Sequence, residues 1–478
     1  MELLEHAGVG TRMQARRLRS ELELLAPGHR LAPLQAGAEL GRKGPSTEEN
    51  PDADAGLRVL HLITNSLPHT QSGYSLRTHR LLSSLRRAGV QSIALTRTGY
   101  PIMVGVPLAS DEDAVDGVVY RRTLPSSLGA TAEQRLVQEV DAALRIVDEF
   151  RPHVLHATTD YRNALVAQAV SQATGIPWIL EVRGLMEQTW IASHRSKSSR
   201  ARAADSEKAR LVAAKEAELA NEAHAVVTLS RTMAQELARR GVDDSRVVVV
   251  PNGVEDALLS RPTDMTDARR QVLPDLPSKA YAVGAVSALV DYEGFDVLLR
   301  AAARIIHDPS SPKELRNDLH VVIAGDGTAA PALRALTHEL GIGDRTTMPG
   351  RVPRADAPTW LLSLDAVVVP RRDLRVTQWV TPQKPVEALA LGRPLVVSDL
   401  PALRESVRTE EGLDCALLVP PEDPEALAGE IIRLWSHRHG SDGRSQAGRK
   451  LAASRRWPTL ADRYVTVYRR LAHETAEE

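Results

Sequence analysis

Short apolar runs alternate with longer stretches in which apolar residues recur every three or four positions, and this alternation organises most of the chain. RVLHLIT (58–64), QSIALTR (91–97), HVLHAT (153–158), PWILEV (177–182), AVVTLS (225–230) and VVVVP (247–251) are Val-, Ile- and Leu-rich with few polar breaks. Such runs predict strands buried on both faces. The segments between them predict amphipathic helices. SLRTHRLLSSLRRAG sets Leu81, Leu82 and Leu85 on one face, with Thr78 alongside and arginines opposite, and ATAEQRLVQEVDAALRIVDEF is a longer helix of the same kind. Strand–helix alternation predicts an α/β architecture, a parallel sheet with right-handed crossovers in a Rossmann-like domain. The pattern then restarts. AYAVGAVSAL, HVVIAG (320–325), TTMPG, AVVVP (366–370), RPLVVSD and ALLVPP (416–421) predict a second set of strands, with LLRAAARII, ALRALTHEL and PVEALAL as helices between them.

The expected organisation is therefore two Rossmann-like domains, 57–255 and 256–455, facing each other across a cleft with ligands at the strand carboxyl ends. A helical extension and flexible linker precede them (1–56, with GRKGPSTEENPDADAG at 41–56 as the linker), and a last helix follows at 456–478. The length of 478 residues agrees, being too great for one ordinary core. A formal net charge of -1 gives no case for nucleic-acid binding. The single cysteine, Cys415, excludes an internal disulfide and a cysteine-cluster metal site, and fits a reducing cytoplasm. MELLEHAGVG has no apolar core and does not read as a signal peptide, and the nearly apolar YAVGAVSALV (281–290) is too short to cross a bilayer. The acidic clusters at 52–54 and 111–113 lie in a linker and a polar loop, so no metal site is expected. Arg12, Arg16, Arg17 and Arg19 read as a solvated helix face, with an anionic membrane or a second subunit as alternatives.

Candidate chemistry concentrates in the loops after strands. In NSLPHTQSGYSLRTHRLL (65–82), Gly73 lets a phosphate or sugar hydroxyl approach the backbone at a helix start, although an ordinary tight turn reads equally well. The loop is not G-x-G-x-x-G, so a dinucleotide fingerprint is absent. In the second domain three loops converge: AGDG (324–327), GRVPRAD (350–356) and PRRDLRVTQWVTPQKPVE (370–387). Lys384 is expected as a helix cap, Pro385 as the first helical residue and Glu387 as the third. A carboxylate there can accept two hydrogen bonds from a vicinal diol such as ribose, and Arg371, Arg372 and Lys384 can neutralise a diphosphate. The plainer alternative is that Glu387 stabilises its helix by about 0.3–1 kcal/mol. Glu181 and Arg183, at the end of WILEVRG, are expected to point toward the cleft, where Arg183 holds an anionic acceptor or phosphate or else simply pairs with Glu181.

The body of the chain, 57–474, resembles glycosyltransferase family 4, which has the GT-B fold. The resemblance is carried by SGYSLRTHRLLSSLRRAGV, RPHVLHAT, GIPWILEVRGL, VVTLSRTMAQEL, VVVVPNGVE, YEGFDVLLRAA, VIAGDG, PGRVPRADAPTWLLSLDAVVVPRR and VTPQKPVEALALGRPLVVSD, in that order. It is especially similar to the subgroup with EVRG, YEG, PRR and TPxKPxEA. The resemblance implies that a hexose moves from a nucleotide-diphosphate sugar, a UDP-sugar by preference, to a hydroxyl acceptor with retention, without metal or other cofactor. It also implies a cytoplasmic protein, or one at the inner face of the membrane, whose last helix returns to the first domain. Glu387 matches the glutamate that holds the donor ribose, while Trp379 stands where the family has a first glutamate eight positions earlier. Ala288 and Glu293 stand at the family's basic pair for the diphosphate, so Arg371, Arg372 and Lys384 are expected to replace it. Arg351 and Val352 match the loop that meets the nucleobase, and Gly73 the glycine loop near donor phosphate and acceptor. His156, with Thr158 where a second histidine is usual, and Asp160 are the catalytic candidates, although a histidine on a buried strand is more often a satisfied core residue. The departures leave two alternatives, a nucleotide-sugar-binding partner that has lost transfer and an epimerase on the same fold.

Overall fold

The computed structural model describes residues 9–33, 56–194, 196–262, 264–438 and 443–477. The predicted linker, apart from Gly56, lies outside the described residues, and so does the acidic cluster at 52–54. The chain divides into two compact units, Met1–Val250 with Pro458–Glu478, and Pro251–Trp457.

The first unit contains β1 (Arg58–Ile63), β2 (Gln91–Thr96), β3 (Glu112–Val115), β4 (Val118–Arg122), β5 (Val154–Thr158), β6 (Trp178–Val182), β7 (Ala225–Thr228) and β8 (Val247–Val249). Their order in the sheet is β3-β4-β2-β1-β5-β6-β7-β8, parallel throughout except for the β3–β4 pair. That pair is absent from the expectations above. Asp116 and Gly117, with φ of 51° and 76°, make the tight turn between these strands. The Asp-Gly dipeptide supplies the left-handed conformations such a turn needs. The helices used below are α1 (Val9–Leu24), α2 (Gly73–Arg87), α3 (Ala132–Phe150) and α4 (Tyr161–Thr174). Thr131 caps α3 with Gln134 completing a capping box, and α1 packs on α3, with Ser20 Oγ accepting from the Glu133 backbone.

The second unit contains β9 (Tyr281–Val286), β10 (Leu319–Ala324), β11 (Thr346–Gly350), β12 (Ala366–Val369), β13 (Leu395–Ser398) and β14 (Leu417–Val419), in the order β11-β10-β9-β12-β13-β14, all parallel. Val321 and Ile323 enter one apolar core and Val322 and Ala324 the other, on opposite faces of β10. This double burial is why the strands read as continuous apolar runs rather than alternating ones. Helix α5 (Lys384–Ala390) follows β12, and α6 (Trp457–Glu477) ends the described chain, all of it beyond Trp457 folding with the first unit. Among the parallel strands each sheet reverses its order once, between β1 and β5 in the first unit and between β9 and β12 in the second. Where adjacent crossovers leave in opposite directions, a crevice opens at the strand carboxyl ends.

Candidate functional site

In the second unit the crevice is walled by the loops after β9 and β12. These loops lie so close that a Cβ on Gly294, whose φ is +71°, would come within 2.0 Å of the Pro370 carbonyl oxygen, and the loop after β10 is as close to the loop after β9, where a Cβ on Gly325 would come within 1.7 Å of the Ser287 carbonyl oxygen. Glycine is required at both. The Arg372 amide donates to the Tyr292 carbonyl (3.1 Å) and ties the two loops together. Between them lies Glu293, 4% exposed. Arg371 Nη2 donates to its Oε1 and Lys384 Nζ to its Oε2, both at 2.7 Å. Lys384 also contacts Ser287 Oγ, and Arg371 Nη1 donates to the Val380 carbonyl (3.0 Å). Burial alone would raise the Glu293 carboxyl, but the charges and hydrogen bonds of Arg371 and Lys384 outweigh it and hold the group down at about 2.

The three cations grouped from the sequence thus separate. Arg371 and Lys384 share Glu293, whereas Arg372 turns to a different set of acids, Asp296 (2.9 Å) and Glu422 (3.0 Å), with Nε donating to the Asp291 carbonyl (3.1 Å). None of the three stands as an uncompensated charge, because the loop after β9 and the helix it enters bring Asp291, Glu293 and Asp296 against them, and the loop after β14 brings Glu422. α5 begins at Lys384, one residue before the expected start, and places half-buried Glu387 in its first turn. Arg351 is exposed in the loop after β11, and Val352 packs partly against the core beneath it.

In the first unit the sequence candidates His156, Glu181 and Arg183 do come together, but inside the unit. All three are at most 2% exposed. Glu181 is the hub. Its Oε1 accepts from Arg77 Nε (3.1 Å) and the Tyr464 hydroxyl (2.6 Å). Its Oε2 accepts from Arg183 Nη2 (2.6 Å) and lies 3.2 Å from His156 Nε2. His156 Nδ1 is 2.6 Å from the Tyr468 hydroxyl, so both ring nitrogens are engaged. Burial, with Arg183 and Arg77, keeps His156 below its ordinary value against the pull of Glu181. Burial would raise Glu181, but Arg183 and Arg77 hold it well below the carboxylate range. The outward orientation expected of Glu181 and Arg183 is therefore corrected: α6 covers this face of β6 with Tyr464 and Tyr468, both fully buried. Arg77 is likewise 1% exposed rather than on a solvent face of α2, because its charge is met by Glu181 and the Val250 carbonyl (3.0 Å).

A family model described as "Glycosyl transferase 4-like domain" matches residues 72–253, and one described as "Glycosyl transferases group 1" matches 280–437. The chain belongs to this glycosyltransferase family. It is 28% identical over 399 residues to the D-inositol 3-phosphate glycosyltransferase 1 of Catenulispora acidiphila, covering 80% of this chain and 86% of that one. To the D-inositol 3-phosphate glycosyltransferase of Thermomonospora curvata it is 30% identical over 240 residues, 48% of this chain and 52% of the other, so the chain spans about half the length of that relative. It is 25% identical to the 2-deoxystreptamine N-acetyl-D-glucosaminyltransferase of Streptomyces fradiae, over 75% of this chain and 82% of that one. Among solved structures, sucrose-phosphate synthase from Thermosynechococcus elongatus superposes with a TM-score of 0.67 at 20% identity, over 87% of this chain and 99% of that one. Anabaena HepE in complex with UDP and glucose superposes with a TM-score of 0.64 at 16% identity, over 86% and 99%. These likenesses establish the GT-B fold.

In this glycosyltransferase Gly73 is the first residue of α2, behind the Ser72 cap with its Ser75 capping box. Gly73 is exposed, its φ is not left-handed, and a Cβ there would meet nothing within 4 Å. Nothing inside the unit demands glycine at this position. Arg183 Nη1 donates to the Tyr74 carbonyl (2.9 Å) and to Thr78 Oγ1 (2.7 Å), so the Glu181 hub holds the first turn of α2 in place.

Asp160 caps α4, accepting from the Arg162 amide at 2.8 Å, and burial raises its carboxyl. Thr159 and Asp160 have φ of 52° and 71°, consecutive left-handed positions beside the β1–β5 crevice. Such conformations cost about 1–3 kcal/mol each. Asn163 Nδ2 holds the turn by donating to the Thr158 carbonyl (2.6 Å) and to Thr64 Oγ1 (3.2 Å), across the ends of β5 and β1. Asp160 also lines a cavity of about 20 Å³ with Glu216 and Arg240, room for roughly one water. Sequence reasoning missed Arg77, Tyr464 and Tyr468. The VLH repeat at 59–61 and 154–156, whose segments pair in register with His61 opposite His156, was a signal for His61 beside the cluster but not for those three.

Proposed function

We propose that this glycosyltransferase moves a hexose from a nucleotide-diphosphate sugar, a UDP-sugar by preference, to a hydroxyl acceptor with retention and without metal or other cofactor. The observation that carries the reading is the crevice between β9 and β12, where Arg371 and Lys384, from the connection after β12 that also carries Glu387, meet Glu293 from the loop after β9 at the ends of two adjacent parallel strands. Glu387 accepts from the ribose diol, the backbone of Arg351 and Val352 meets the base, and Arg371 and Lys384 face the diphosphate, with Arg372 bracing the loops. UDP and glucose bound to the Anabaena neighbour support the donor class. The acceptor hydroxyl attacks the anomeric carbon from the face the nucleoside diphosphate leaves, and the departing phosphate takes its proton, so no enzyme nucleophile is needed. His156, buried with both nitrogens engaged, and Glu181 with Arg183 serve as positioning residues for the first turn of α2, and Asp160 shapes the turn after β5. The inositol and deoxystreptamine named for the relatives are both cyclitols, and they make a polyhydroxylated ring the acceptor to try first.

The deciding experiment incubates the full chain with UDP-, GDP-, ADP- and TDP-sugars, with and without inositol phosphates and aminocyclitols. Nucleoside diphosphate with a glycosylated acceptor is the expected product. Sugar inversion without release would identify an epimerase instead, and binding without turnover a partner that has lost transfer, which the pairing of Glu293 with two cations also favours. A second measurement concerns Gly73. Gly73→Ala is expected to leave thermal stability unchanged or to raise it by about 0.4–1 kcal/mol, since alanine fits a helix start and narrows the unfolded ensemble. Turnover should nevertheless fall roughly 10- to 100-fold, because a methyl group there displaces whatever approaches the loop. Equal rates for the two proteins would remove Gly73 from the site.

A further inference from the structure

We propose that Glu293 is a built-in counter-anion of the donor site, which partly occupies Arg371 and Lys384 and so weakens the grip of the enzyme on its departing nucleoside diphosphate. This inference rests on the assignment of the β9–β12 crevice to the donor. Each oxygen of Glu293 takes one cation at 2.7 Å, and the trio carries a net charge of +1 where two cations alone would carry +2. The carboxylate is fixed in place, because on one side of it Gly294 lies against the Pro370 carbonyl and on the other the Arg372 amide is bonded to the Tyr292 carbonyl. Its partners differ in freedom. Arg371 is 8% exposed at the side chain and anchored on the Val380 carbonyl, whereas Lys384 is 20% exposed and held through a flexible stem.

The physical consequence concerns the product more than the donor. The diphosphate of a nucleotide sugar carries two charges, and the released nucleoside diphosphate carries up to one more on its terminal phosphate, whose second ionisation falls near pH 6. A site with two uncompensated cations holds the more highly charged product tighter than the donor. An internal carboxylate a few ångströms away opposes that preference, since like charges at such distances in a partly buried site repel appreciably. Glu293 also keeps Arg371 paired while the site is empty, a state in which a buried lone guanidinium is costly.

The test compares the full-length protein with Glu293→Gln and Glu293→Asp by titration calorimetry and thermal shift with UDP, GDP, ADP and TDP. E293Q is expected to melt lower when empty, yet to bind its nucleoside diphosphate roughly tenfold tighter. The rise in melting temperature on adding that nucleotide should be larger than for the native protein, and E293D should behave as the native protein does. A purely structural ion pair predicts the lower melting temperature without the gain in affinity. If the native protein binds a nucleoside diphosphate and E293Q binds it equally or more weakly, the counter-anion is refuted while the donor site stands. If none of the proteins binds any of the four nucleotides, both assignments fall. Should E293Q not fold, Lys384→Met decides. With Glu293 left to cancel Arg371 alone, affinity should drop about tenfold, and an unchanged affinity would overturn the proposal.

Discussion

Glu181→Ala is expected to destabilise the first unit by about 3–5 kcal/mol, a large share of the 5–15 kcal/mol that typically separates folded from unfolded protein. The carboxylate is fully buried, and four donors converge on its two oxygens. Removing it leaves Arg77 and Arg183, 1% and 2% exposed, as buried cations without their anion. It also releases the Tyr464 hydroxyl, so the docking of α6 loosens together with the first turn of α2. Denaturant unfolding measures the effect, and a loss below about 1 kcal/mol would mean that solvent reaches the cluster. The pH dependence follows from the same interactions. Burial opposes the charge on Glu181, but Arg183 and Arg77 prevail and depress its folded pKa well below 4.5. Its contribution is therefore complete above the unfolded value, near 4.3, and is lost as pH falls through the folded value. Melting temperature followed from pH 7 down to strongly acid conditions should show this loss in the native protein, and Glu181→Gln should flatten it.

Glu387→Ala should weaken donor binding about 10- to 100-fold while changing stability by less than about 1 kcal/mol. The side chain is half-buried at the start of α5, and its helix-end contribution is only a few tenths of a kcal/mol to about 1. A hydrogen bond from a ribose hydroxyl to a carboxylate has a net worth of about 1.5–3 kcal/mol, so loss of even one outweighs the helix-end effect. A second substrate isolates the contact. The native protein should discriminate against a 2′-deoxy nucleotide, and E387A should bind ribo- and deoxyribonucleotides nearly alike. Binding of the native protein that ignores the 2′-hydroxyl would show that Glu387 does not hold the ribose, whatever the variant does to affinity.

The architecture was legible because its cause is local. A strand covered by helices on both faces must be apolar at successive positions, and the runs at 58–64, 153–158 and 320–325 differ from β1, β5 and β10 by a residue or so at their ends. The β3–β4 pair escaped because edge strands are short and half-exposed. The candidate site was legible in part. The motif around Glu387 stands out as a loop feeding a helix, and the charges at 371, 372 and 384 cluster in sequence. Their partners do not: Arg371 meets Glu293 78 positions away, and Tyr464 meets Glu181 across 283.

Thus the order of apolar runs, the position of each loop at a strand end and the chemistry of the side chains in those loops are properties of the chain alone, since they arise from contacts between neighbours in sequence and from the demand to bury apolar surface. Whether a given charge meets solvent, a ligand or an opposite charge was decided by the fold. Glu293 appeared from the sequence to be a misplaced negative charge in a diphosphate site, and the fold makes it the partner of two cations. Glu181 and Arg183 appeared to face the cleft, and the return of α6 closes them in. Electrostatic roles depend on distances of a few ångströms between groups far apart in sequence, and only the packing of β9 beside β12, and of α6 against the first unit, sets those distances.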